Sequence, residues 1–238
     1  MKIVDAVWEK RNLGVDTVEI TLELNDNIDE IKRKLNEVDA KYIVLKIPSY
    51  RPDLLQIAYE EKFRYMEDMV YVVNYLQEIN RNPVMQRLYD AVTVDIMSTE
   101  DMEQLYQEIE NGIFDSDRIY LDTYFNHQIA KTRYLNWVKD EYTRGTEFLK
   151  YVYKNESIGF FALREVEPRH YTSFLGGIYS KYRVGGIGTI VKVPEEVKLR
   201  GGKKVSTSVS TNNAIQLKSL AMNGYIPESI SHTFVKHK

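Results

Sequence analysis

The sequence predicts an α/β chain in which helices flank a mixed sheet, and three observations carry that prediction. Runs with strand-type alternation and runs with helical spacing follow one another along most of the chain. Residues 171–213 read strand, glycine-rich turn, helix, strand, the order expected of a parallel crossover unit. A fainter version of the same order occupies the first part of the chain: placing Phe63 on Tyr225, a shift of 225 − 63 = 162, sets residues 41–47 over 203–209 without a gap. The shift also lays Leu55 and Ala58 over Leu217 and Leu220, which fits an internal repeat and equally fits two unrelated crossover units.

At 238 residues the chain can bury a large core and hold one large or two small domains. Its 43% apolar and 28% charged residues are those of an ordinary globular protein. No apolar run approaches the roughly 20 residues of a membrane span, so the expectation is a cytoplasmic protein with no membrane partner. Absence of cysteine excludes thiol nucleophiles, disulfides and thiolate metal sites. His127, His170, His232 and His237 form no close-spaced ligand set, so no metal is expected. A net charge of −3 argues against general nucleic-acid binding.

From the start, Val18, Ile20, Leu22 and Leu24 alternate with polar residues as a half-buried strand does. Asp26 and Asn27 cap a helix that carries Ile28, Ile31, Leu35 and Val38. Residues 41–47 form a strand buried on both faces; a turn with Pro48 and Pro52, a short helix with Leu54, Leu55 and Ala58, and a strand over 66–73 follow. Residues 76–89, polar around Asn80, Arg81, Asn82 and Pro83, read as a connection, which divides the chain into a small α/β domain at 1–83, a packing or substrate-lining module, and a second domain at 84–238.

The second domain opens with a strand over 91–96. Ser98 and Thr99 start a helix with Met102, Leu105, Tyr106 and Ile109 along one side. An irregular stretch, 114–124, leads to a helix over 126–142 bearing Ile129, Arg133, Tyr134, Trp137 and Val138. Three strands come next, 147–153, 157–165 and 171–179, the first two joined by a hairpin-length turn. Gly176 and Gly177 near the end of the third mark a bulge or a close approach by another backbone or a ligand. The helix expected over 187–200 contains Pro194 and should kink or restart there, with Glu195 and Glu196 in the new first turn. A strand over 204–211 ends at a cap, Asn213, of a last helix whose Ile215, Leu217, Leu220 and Ala221 should pack inward.

The turn after residue 179 holds Arg183, Val184, Gly185, Gly186, Ile187, Gly188 and Thr189. A strand ending in close-spaced glycines that feeds a helix presents free backbone N–H groups and a positive dipole end, suited to a phosphate or pyrophosphate. Such turns also serve plain packing, and the spacing matches neither the dinucleotide nor the P-loop pattern. It resembles the Arg/Gln-x-x-Gly-x-Gly/Ala signature of the GNAT superfamily of N-acetyltransferases, with Arg183, Gly186 and Gly188 in register. Asn213, Gly224 and Tyr225 match the ending of that family, while Gln216 replaces an alanine and Leu220 replaces the tyrosine proposed to protonate the leaving thiolate. Trp8, Leu13 and Gly14, with Tyr134 and Trp137, give a layout that resembles the two-domain TDP-fucosamine acetyltransferases.

The resemblance implies a splayed mixed sheet, with a degenerate GNAT-like half at the N-terminus and acetyl-CoA as cosubstrate. The cofactor would be held by Ile178, Tyr179, residues 183–189 and Asn213, the pantetheine arm lying along residues 178 and 179 like an extra strand. It further implies direct transfer to the amine of a small acceptor, an amino sugar on a nucleotide. A CoA-binding protein without turnover and a transferase acting on a polypeptide amine stay open, as does a homodimer. Glu165 and Glu167 lie near the turn in sequence, and neither is assigned as base, so the catalytic groups stay unknown.

Overall fold

The computed structural model describes residues 1–183 and 191–238. The helix–strand alternation read from the sequence folds into one mixed sheet with helices on both faces. In chain order the strands are β1 (Lys2–Asp5), β2 (Thr17–Thr21), β3 (Tyr42–Pro48), β4 (Arg64–Asn74), β5 (Val92–Ile96), β6 (Glu147–Tyr153), β7 (Glu156–Glu167), β8 (His170–Ile178), β9 (Lys204–Ser210) and β10 (Ile226–His237). The helices are α1 (Val7–Leu13), α2 (Ile28–Glu37), α3 (Pro52–Glu60), α4 (Pro83–Asp90), α5 (Thr99–Glu110), α6 (Arg118–Leu121), α7 (His127–Thr143), α8 (Val193–Leu199) and α9 (Ala214–Met222). Across the sheet the strands run β1-β2-β3-β10-β4-β9-β8-β7-β6-β5. Only β2–β3 and β8–β9 are parallel pairs among them.

The elements start where local chemistry starts them. Asn27 caps α2 through Asp29 and Glu30 N–H, Ser98 and Asp101 close a capping box on α5, and Asn126 caps α7. Lys154 and Asn155 both take positive φ, the geometry of a two-residue hairpin turn between β6 and β7. Pro194 sits in the first turn of α8, where its missing N–H costs nothing, and Glu195 and Glu196 follow it. Two stretches differ from the sequence reading. Residues 83–90 are helical rather than a connection, with Asn82 as cap and Pro83 in the first turn. In α9, Leu220 is buried, but Ile215 is 76% exposed and Ala221 faces solvent, because only one edge of this short helix meets the sheet.

The internal repeat is present in three dimensions. A shift of 162 carries Tyr42–Pro48 onto Lys204–Ser210 and Pro52–Glu60 onto Ala214–Met222. It also carries the strand pairing: Met69↔Ser210 becomes Ser231↔Pro48, and Val70↔Val209 becomes His232↔Ile47. β4 and β10 therefore exchange places, each pairing with the strand before the other's helix, and they pair with one another about the Met69↔Ser231 position. The buried clusters follow this plan. Ile31, Leu35, Leu54 and Ile57 of α2 and α3 pack on Ile43, Leu45 and Phe234, whereas Val193, Val197 and Leu220 of α8 and α9 pack on Val70, Val205 and Phe161. On the opposite face α5 and α7 cover Phe148, Phe160 and Leu175, and α6 and α7 cover Tyr42, Val44 and Val235.

One difference between the repeats opens the molecule. β2 and β3 stay paired from Thr17↔Tyr42 through Thr21↔Lys46, whereas β8 and β9 pair only at His170↔Lys204, Tyr171↔Val205 and Thr172↔Ser206. Beyond Thr172 the second pair separates.

Candidate functional site

A cleft of about 640 Å³ occupies the gap between the separated ends of β8 and β9. It passes from one face of the sheet to the other. Val193, Leu220 and Tyr225 line it on the α8–α9 side, and Tyr134, Trp137 and Arg133 on the α7 side. Residues 173–178 of β8 form one wall, and their edge toward β9 has no strand partner among the described residues. Unpaired backbone on that edge must find hydrogen bonds in water or in a ligand. A Cβ built on Gly177 would meet Phe114 and Phe160 at 3.8 Å, an ordinary packing contact, so this glycine lies against the two rings without crowding. By contrast a Cβ on Gly159, in β7 behind the wall, would lie 2.4 Å from Gly177 O. Gly159 lets β7 and β8 sit at their present spacing.

Sequence-predicted residues divide into three groups. Ile178, Arg183 and Asn213 all line the cleft. Arg183 donates from Nε to Ile178 O at 3.3 Å, donates to Ile113 O and sits 3.8 Å from Asp115, fastening the end of β8 to the loop after α5. Asn213 caps α9, its side chain accepting from Gln216 N–H at 3.1 Å. Tyr179 is 1% exposed among Phe148, Phe160 and Leu175, and its N–H donates to Ile158 O at 2.9 Å, so that amide is already used within the fold. Val184, Gly185, Gly186, Ile187, Gly188 and Thr189 lie outside the described residues. Glu165 and Glu167 stand at the exposed end of β7 away from the cleft, Glu165 accepting from Arg169 N–H.

The α7 side of the cleft combines an aromatic rail with a charged cluster. Phe114 stacks on Tyr134 with ring centres 4.2 Å apart; Trp137 lies 6.0 Å from Tyr134 and 6.0 Å from Phe174. Glu9 of α1 receives Arg133 on both oxygens, from Nε at 2.7 Å and Nη2 at 2.6 Å, and Arg118 Nη2 at 2.8 Å. These two guanidiniums hold the Glu9 carboxyl at about 2, against the desolvation of an 8%-exposed site. Arg133 also lies 3.5 Å from Asp117. Trp8 Nε1 donates to Asp140, and Asn136 donates to Asn12, tying α1 along α7 so that Glu9 reaches this end of the cleft.

Sequence reasoning missed Glu67. It occupies a polar position of β4, is 3% exposed and lines the cleft, and burial pushes its carboxyl up. Its Oε2 has no hydrogen-bond partner among the described residues. Nothing local marks it, since an alternating strand always carries polar residues; the exchange of β4 and β10 brings it beside β9. Leu220, the position that departs from the GNAT ending, lines the opposite side of the cleft with Tyr151 and Tyr225. Burial raises both phenols, so each stays a neutral O–H donor at ordinary pH. No group of metal-binding side chains occurs among the described residues, and none of their helices is long and apolar enough to cross a membrane.

No family model matches the chain, and no curated protein matches it in sequence. Solved structures do match its shape. A GCN5-related N-acetyltransferase from Sphaerobacter thermophilus shares 13% identity at a TM-score of 0.64, over 99% of this chain and 75% of that one. The tandem GNAT protein from the clavulanic acid biosynthesis pathway shares 11% at 0.56, over 93% and 75%. A GCN5-related glucosamine N-acetyltransferase region of a fungal multi-domain β-N-acetylglucosaminidase shares 12% at 0.63, over 92% of this chain and 30% of that one. With its mixed sheet, its flanking helices and the parting of β8 from β9, the chain has the fold of the GNAT N-acetyltransferases.

Proposed function

We propose that this protein transfers an acetyl group from acetyl-CoA to the primary amine of a small acceptor, an amino sugar carried on a nucleotide. The observation that carries the reading is the edge of β8 beyond Thr172, which has no strand partner among the described residues and faces a cleft lined from both sides of the sheet. An extended chain with amides of its own, such as pantetheine, can hydrogen-bond to that edge where β9 has withdrawn. Ile178, Arg183 and Asn213, with the glycine-rich residues 184–189, are the residues that would hold the cofactor. When bound, it supplies an acyl group on a good leaving sulfur.

The chain's own residues do the rest. Phe114, Tyr134 and Trp137 offer flat apolar faces to a sugar ring and keep water from one side of it. Confining the amine against the cleft wall replaces a bimolecular collision with an oriented attack. Tyr225, beside Leu220, carries a neutral phenol and takes the proton-donor role that leucine cannot fill. A fold neighbour described as a glucosamine N-acetyltransferase region supports a sugar acceptor, and the layout of Trp8, Tyr134 and Trp137 supports a nucleotide-linked one.

Thermal melts with CoA, followed by thiol release from acetyl-CoA over a panel of amines, test the reading. Stabilisation by CoA and thiol release with amino sugars are expected. Stabilisation without release on any amine would leave a CoA-binding protein; no stabilisation at all would remove the cofactor site.

A further inference from the structure

Arg183 stands among the residues that would hold the cofactor, yet its side chain reaches toward the acceptor side of the cleft. Its Nε donates to Ile178 O at 3.3 Å, its Nη2 donates to Ile113 O, and its Nη1 lies 3.8 Å from Asp115. Its own N–H donates to Ser180 O at 3.4 Å. The ion pair with Asp115 adds little, because both side chains are about half exposed, at 43% and 53%, and water screens such a pair. The two carbonyl bonds carry the link between the end of β8 and residue 113.

Residues 113–116 bear Phe114 between the end of α5 and the start of α6. Gly112 and Ile113 N–H close the last turn of α5 on Ile109 O and Glu108 O, and Asp117 caps α6. Between those two points the side-chain hydrogen bonds and ion pairs of the segment, among the described residues, come from Arg183. Phe114 otherwise lies beside Gly177 and stacks on Tyr134 with ring centres 4.2 Å apart. Apolar contact is non-directional and keeps a loop near a wall without fixing its distance along it. A guanidinium that bonds two carbonyls at once fixes both in direction.

Resting on the acyl-transfer reading, we infer that Arg183 is a positioning residue for the acceptor: its guanidinium joins the end of β8, where the cofactor would lie, to the loop that carries Phe114. The stacked pair Phe114–Tyr134 is thereby held at a set distance from the wall that would bear the thioester, as an oriented attack requires. A lysine keeps the charge but offers one point in place of a planar fork, so it cannot bond both carbonyls in this geometry. A charge that bound a diphosphate would survive that change in part. A two-point link would not. Cofactor lying along β8 would also steady residues 113–118 through the same link.

The test uses the full chain as wild type, Arg183→Lys and Arg183→Gln, with circular dichroism as the control on folding. Hydrogen exchange read by mass spectrometry needs no acceptor. Exchange over 113–118 should be faster in both variants, and CoA should slow exchange over 173–178 in all three proteins but over 113–118 in wild type alone. With glucosamine as acceptor, KM should rise about tenfold in both variants, with kcat falling by less and the calorimetric Kd for CoA changing less than about threefold. In a Phe114→Ala background, Arg183→Lys should change the glucosamine KM by less than about twofold, because the two residues act as one unit. CoA affinity lost in Arg183→Gln and kept in Arg183→Lys would make the side chain a phosphate ligand and overturn the inference. So would unchanged exchange over 113–118, an unchanged glucosamine KM, or a full further effect in the Phe114→Ala background. CoA that protects 173–178 but not 113–118 in wild type overturns the inference alone; CoA that protects neither overturns the cofactor reading. The exchange readout decides the matter whether or not glucosamine is turned over.

Discussion

Replacing Glu9 by glutamine removes the one carboxylate shared by Arg118 and Arg133 and leaves two buried guanidiniums facing an amide. The Glu9 carboxyl is held at about 2, compared with 4.5 for the unperturbed group. That difference of about 2.5 units, at 1.36 kcal/mol each, makes the ionised carboxylate worth about 3 kcal/mol at neutral pH. Cutting one partner from a buried ion pair costs about 3–5 kcal/mol, which agrees. The sign follows from a folded pKa below the unfolded one. Stabilisation is complete above pH 4.5 and fades as pH falls through 4.5 toward 2; by pH 3 the same relation leaves about 1.4 kcal/mol. Urea unfolding of wild type and Glu9→Gln at pH 7 and pH 3 measures both quantities. The variant should be less stable by about 3 kcal/mol at pH 7, with the gap under half that at pH 3. Equal stability at pH 7, or a gap independent of pH, would refute the assignment of Glu9 as the anchor of the two arginines.

Two further outcomes follow from the cleft. Glu67 has the opposite sign: its carboxyl is pushed up by burial, so its ionisation costs stability as pH rises past the ordinary carboxylate range. Glu67→Gln should melt higher than wild type at pH 7.5 and by a smaller margin at pH 4, and a lower melting point at pH 7.5 would contradict the orphaned carboxylate. Gly159→Ala should lose about 1–3 kcal/mol, because its Cβ would press on Gly177 O at 2.4 Å. Gly177→Ala meets only ordinary contacts and should stay within about 1 kcal/mol of wild type in the same urea titration; the reverse order would mean that the wall is packed differently.

How far the sequence could be read depended on how local each signal was. The 162-residue shift was legible because the spacing of apolar residues in β3 and α3 recurs in β9 and α9, and burial follows spacing. Pro194 at a helix start was legible from proline chemistry alone. The helix at 83–90 was hidden by the polar run before it, although Asn82 and Pro83 are a cap and a first-turn proline. α1 stayed unread because its buried side includes Glu9 and Asn12, polar residues that break the apolar pattern and make sense only against Arg133 and Asn136. The exchange of β4 with β10 is a non-local event with no signature in either strand. For that reason the sequence around Glu67 is that of any solvent-facing strand residue, whereas Ile178, Arg183 and Asn213 carry motif spacing that marks them.

A crystal structure of the protein with CoA tests the central claim most directly. Pantetheine hydrogen-bonded along residues 173–178, in the gap that β9 leaves, is the predicted result. CoA bound away from that gap, or β9 zipped onto β8 with no ligand between them, would contradict it.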